Sequence, residues 1–387
     1  MSDSTPRVMI ATRTQPASTR PHSDRPRDTG LPIRPGTNAH MERQMSIEAR
    51  TAHIDPELEA FVPLFPPADL TDPVTARKNL AELAGAAPAP DTADMKIEDR
   101  MVPADPDVPV RIYRPHGAEG AIVWLHGGGF VMGDLETEHP WAFRVADGSN
   151  AVVISVGYRR APEHRFPAAL DDSYAVLAWA AEQAAELGID PERIAVGGHA
   201  AGAGLAAAMS LQARDQQGPP IRFQLLNQPV LDDRQETWSA RHFTETPFMT
   251  REKVAASWRH YLGSASASPY AAPARATDLS GLPPAYITSA ALDPNRDEAI
   301  TYALRLLQAG VPVELHQWPG TFHGSQAVLS AGVSQRQMAE LGAVLRRGVA
   351  ADVIAADQAD DAHGAHADRA EAVTGAPAKR GRYERTP

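Results

Sequence analysis

Cysteine is absent from this 387-residue chain. Its absence excludes disulfide staples, thiolate metal sites and a cysteine nucleophile, and it fits a cytoplasmic protein. Aromatic residues are scarce, at 6%, while hydrophobic residues make up 43%, within the range of a soluble globular protein. No apolar run approaches the roughly 18 residues that a membrane-spanning helix needs, and no integral membrane association is expected. Basic residues are the minority charge. There are 37 Lys and Arg against 48 Asp and Glu, a net charge of −11, which argues against a nucleic-acid partner. No lysine follows a glycine loop in Walker spacing, and G-x-G-x-x-G does not occur, so nucleotide cofactors have no motif to rest on.

The two ends have little that could build a core. Residues 1–45 are mostly Arg, Ser, Thr and Pro, and residues 350–387 are mostly Ala, Asp, His and Arg. Neither stretch can offset its ordering entropy by burial, so both are expected to be disordered. Between them, 46–349 alternates two patterns. Strand-like runs fall at 96–102, 108–113, 122–125, 152–156, 194–196, 222–227, 284–289 and 312–318. Helix-like runs fall at 168–187, 202–214 and 297–309. Buried strands alternating with helices predict a mostly parallel sheet of about eight strands, flanked by helices on both faces. Two stretches break the rhythm, 46–90 and 232–262. Both read as helical pieces placed as a cap over a site.

Two glycine-rich turns carry the chemistry. His126-Gly127-Gly128-Gly129-Phe130 follows the strand at 122–125. Glycines let the backbone approach a ligand closely and turn its amides toward a developing oxyanion. Gly197-Gly198-His199-Ala200-Ala201-Gly202 follows the strand at 194–196 and opens a helix. A strand, a sharp turn and a helix with flanking glycines form the elbow that presents a nucleophilic serine. Here the central residue is Ala200. Asp293 follows the strand at 284–289, and His323 follows the strand at 312–318. The order is nucleophile position, acid, base. Both loops should leave the same edge of the sheet, where the acid would orient the imidazole and the imidazole would take a proton.

These motifs, with Tyr158-Arg159-Arg160-Ala161-Pro162-Glu163-His164 and Phe166 to Asp172, resemble the hormone-sensitive-lipase-like esterases, the fold-3 group of α/β-hydrolases. The resemblance covers about 46–348. It implies an α/β-hydrolase fold with a helical cap, and a carboxylic-ester hydrolase acting on a small-molecule ester without metal or cofactor. By resemblance, Gly128, Gly129 and Ala201 supply the oxyanion amides. Phe130, Met132, His199, Phe248, Met249 and Phe322 are candidates for the pocket wall. Ala200, where the group has serine, removes the acyl-enzyme route. His199 stands where an acidic residue is common, and Ser325 where an aromatic is common. Two readings follow. One is an esterase in an inactivated form, expected to be catalytically dead or severely impaired. The other is a natural non-catalytic relative that binds a small ester or acid. A homo-oligomer is compatible with these patterns.

Overall fold

The computed structural model describes residues 54–65, 69–86, 90–118 and 120–350. The extension expected over 1–45 lies outside them, as does the tail expected over 350–387 apart from Ala350. Eight strands form one sheet: β1 (Met95–Val102), β2 (Val108–Pro115), β3 (Ala121–Leu125), β4 (Val152–Val156), β5 (Ile194–His199), β6 (Phe223–Asn227), β7 (Ala285–Leu292) and β8 (Val313–Phe322). Their order across the sheet is β1-β2-β4-β3-β5-β6-β7-β8. The β1–β2 and β2–β4 pairs are antiparallel, and every later pair is parallel.

All five residues of β3 and all five of β4 are buried. Alternate side chains of one strand serve opposite faces. Ile122 and Trp124 pack with Val145, Leu341 and Leu345 on one face. Val123 and Leu125 pack with Leu177, Leu205 and Leu306 on the other. Both faces are therefore apolar, which gives central strands their unbroken runs of Val, Ile and Leu.

Among the described residues the helices are α1 (Pro56–Glu59), α2 (Pro73–Ala86), α3 (Leu135–Ser149), α4 (Ala168–Glu182), α5 (Ala184–Leu187), α6 (Ala201–Gln216), α7 (Trp238–His242), α8 (Arg251–Leu262), α9 (Arg296–Gln308) and α10 (Gly332–Gly348). Helix α3 was not among the predicted helical runs. It starts at Asp134, whose carboxylate accepts the Thr137 N–H at 2.8 Å while the Thr137 hydroxyl accepts the Asp134 N–H at 2.9 Å. This reciprocal cap outweighs Pro140 within the helix. Helix α6 approaches the sheet closely at Gly202, where a Cβ would strike the carbonyl oxygens of Leu125 and His126.

Helices α2 and α8 lie against the loop after β3. Arg77 of α2 donates from Nε to the Val131 carbonyl at 2.6 Å and from Nη2 to the Ala161 carbonyl at 2.8 Å. It also takes Glu163 in a two-point ion pair at 2.7 and 2.8 Å. From α8, Tyr261 stacks on Phe130 with ring centroids 4.0 Å apart. Among the described residues, no helix is long and apolar enough to cross a membrane.

Candidate active site

The turn between β5 and α6 is built around one strained residue. Ala200 has φ 53° and ψ −116°, outside the regions an L-residue occupies at low energy. Its N–H donates to the Asn227 carbonyl at 2.9 Å, and its carbonyl accepts from Val230 N–H and Gly204 N–H, each at 3.1 Å. The ends of β5 and β6 thus hold the turn in place. Strain of this kind persists only where surrounding structure over-determines it.

The loop after β3 comes up beside this turn. A Cβ on Gly127 would sit 3.2 Å from the His199 carbonyl oxygen and 3.5 Å from the Ala200 Cβ. Gly128 has φ +111° and Gly129 φ +60°, which favour glycine. A side chain on Gly128 would collide with Met132. Beneath the loop, His126 is fully buried with its ring stacked on Tyr158 at 4.0 Å. The Tyr158 hydroxyl donates to the His126 carbonyl at 2.7 Å. Burial holds the His126 imidazole down at about 4.

Across the sheet edge, the loops after β7 and β8 meet. His323 Nδ1 lies 2.7 Å from Asp293 Oδ2. The other Asp293 oxygen accepts the Asn295 N–H at 2.9 Å. Gly324 N–H donates to Gln228 Oε1 at 2.9 Å, and Gln228 Nε2 donates to Gln326 Oε1 at 2.9 Å, which ties the histidine loop to the end of β6. Nearby, burial pushes the Glu298 carboxyl well above the usual carboxylate range, although it accepts the Leu231 N–H at 2.6 Å.

A mainly apolar cleft of about 180 Å³ joins these parts. Gly127, Gly128, His199 and His323 line it together with Met132 and Phe248. Further wall residues are Phe65, Leu80, Leu83 and Trp141. Sequence reasoning did not name these four; the stretch at 46–90, expected as a cap, was the signal for Phe65, Leu80 and Leu83, and the capped α3 the signal for Trp141. Three predicted wall residues are placed elsewhere. Phe130 is buried against Tyr261 and Trp258. Met249 is buried in the main core. Phe322 is buried edge-on against Phe65, 5.1 Å between centroids. Adjacent residues of an extended chain point oppositely. Phe322 thus enters the core while His323 faces the cleft. Gly129 follows the lining residue Gly128 and packs against Ser257 and Leu70. Ala200, Ala201 and Asp293 are not among the residues that line the cleft, and Ala201 is buried in the main core. Among the described residues, no group of three or more His, Asp or Glu is placed to hold a metal ion.

A family model described as the alpha/beta hydrolase fold matches residues 122–327. The chain belongs to that family. This alpha/beta hydrolase is 41% identical over 286 residues to carboxylesterase NlhH of Mycobacterium tuberculosis, covering 70% of the chain and 88% of that protein. It resembles the solved structure of a bacterial heroin esterase at 44% identity and a TM-score of 0.76, covering 78% of the chain and all of that one. A serine-to-alanine mutant of esterase rPPE, complexed with (S)-Ac-CPA, matches at 31% identity and a TM-score of 0.73, covering 78% and 99%.

Proposed function

We propose that this chain is a carboxylic-ester hydrolase scaffold in which Ala200 stands in the place of the nucleophile serine, so that it binds an ester without turning it over. The observation that carries the reading is the strained backbone of Ala200. Such a conformation costs of order 1–3 kcal/mol, and an alanine side chain gains nothing from it. A serine there would be held outward for attack. The family's named esterases support the reaction class. The serine-to-alanine rPPE mutant in complex with (S)-Ac-CPA supports the idea that a chain of this kind keeps a ligand in place.

In the serine form the roles would run as follows. The serine Oγ attacks the acyl carbonyl carbon, and the carbonyl π electrons move onto oxygen. His323 Nε2 takes the hydroxyl proton, while Asp293 holds Nδ1–H and offsets the imidazolium charge. Amides of Gly128, Gly129 and Ala201 receive the oxyanion. Collapse expels the alcohol, which leaves with the proton from His323. Water then repeats the sequence on the acyl-enzyme and releases the acid. The segments at 54–65, 69–86 and 232–262 act as the cap, screening the cleft from bulk water.

An alkyl fluorophosphonate tests the reading. The Ala200→Ser protein should gain one covalent label at residue 200, and the chain as it stands should take none there. A folded Ala200→Ser protein that stays unlabelled would count against the proposal.

A further inference from the structure

A second histidine–carboxylate couple borders the same cleft. His199 Nε2 lies 3.0 Å from Glu138 Oε2. The other Glu138 oxygen accepts the Trp124 indole N–H at 2.7 Å. Glu138 is 4% exposed, so both of its oxygens depend on these partners. The His199 ring stacks near Trp124 and Trp141, at 6.1 and 5.2 Å between centroids.

The position of this couple in the chain gives it a task. Trp124 is the second-last residue of β3, just before the loop 126–133. Glu138 lies in the first turn of α3, just after that loop. His199 is the last residue of β5, one step before Ala200. Glu138 thus bonds one residue before the loop and one beside the elbow. The loop itself touches the same histidine: a Cβ on Gly127 would be 3.6 Å from His199 Cδ2. Oxyanion donors work only when fixed relative to the attacked carbon, and small misplacements are costly.

We propose that His199 and Glu138 form a positioning pair that clamps the loop bearing Gly128 and Gly129 against the turn at residue 200. The effect on rate rests on the proposed ester hydrolysis; the clamp itself does not. His199→Phe keeps a planar ring between the tryptophans and removes the donor. Exchanging the pair, with Glu138→His and His199→Glu together, restores an acid–imidazole bond and leaves an imidazole nitrogen to accept from Trp124.

Two measurements test it. In the chain as it stands, His199→Phe should speed amide hydrogen exchange at Gly128 and Gly129 by about tenfold or more, relative to the β6 amides. The exchanged pair should recover most of that protection. In the Ala200→Ser background, His199→Phe should lower kcat by about 100-fold with KM within about threefold, the signature of a contact made in the transition state. Unchanged exchange at Gly128 and Gly129 would overturn the proposal. So would an exchanged pair that folds and recovers nothing, or a loss in thermal midpoint with kcat unaffected. If the Ala200→Ser protein is inactive while the glycine amides respond as expected, the clamp stands and the esterase reading falls.

Discussion

His323 and Asp293 share one 2.7 Å hydrogen bond from opposite loops, with both side chains at most 4% exposed. The residues lie 30 apart in sequence, and only the parallel β7–β8 pairing brings their loops to one edge. A buried carboxylate on Nδ1 fixes the tautomer and leaves Nε2 free to accept a proton. In the Ala200→Ser background, Asp293→Asn should therefore lower kcat by about 10⁴ while the fold persists. Steady-state kinetics with a circular-dichroism melt check this. A loss below about tenfold would mean that another group orients the base.

Arg77 joins α2 to the loop after β3 and to Glu163. The Arg77 guanidinium holds the Glu163 carboxyl down at about 2. Because Glu163 is half exposed, the ion pair itself contributes little. The larger effect comes from the Val131 and Ala161 carbonyls, which would lose their donor. Arg77→Ala should destabilise the protein by about 1–3 kcal/mol. It should also make α2 the first site of limited proteolysis. A denaturant curve and a digestion map are the readouts. An unchanged cleavage pattern would separate α2 from this anchor.

His126 links stability to acid. Its folded value is about 4, below the ordinary 6.5. Between those limits the unfolded chain binds the proton and the folded chain does not. Stability from this residue is thus fully present above pH 6.5 and falls as pH drops toward 4, by about 3 kcal/mol in total. Urea midpoints measured from pH 7.5 to 4.5 should decline, and His126→Gln should flatten the slope. An equal slope in both proteins would contradict the assignment.

Much of this architecture was legible because its signals are local. The run Ile122 to Leu125 is buried on both faces and reads as a central strand. Glycines mark the turn at Gly128 and the close approach of α6 to the sheet at Gly202, where contacts from Met132, Leu125 and His126 leave no room for a side chain. Asp293 and His323 were found from chain order, since each follows a strand of the same parallel pair. What escaped depends on residues distant in sequence. Helix α3 was hidden by Pro140, although Asp134 and Thr137 carry its cap. With α3 unseen, Glu138 had no address, and its bond to His199 across 61 residues could not be anticipated. The pocket wall was judged by hydrophobicity alone, which cannot tell Phe248 in the cleft from Met249 in the core.

The most direct test of the account is the rate of short p-nitrophenyl ester hydrolysis by the Ala200→Ser protein beside the chain as it stands. Loss of the nucleophile in a Ser-His-Asp enzyme costs a factor of about 10⁶ in kcat. The account predicts a gain on that scale, because the glycine loop lies beside the strained turn at residue 200 and the cleft it lines also takes in His323, bonded to Asp293. A folded Ala200→Ser protein no faster than its parent, across a panel of acyl esters and lactones, would contradict it and place the chain among ligand-binding relatives instead.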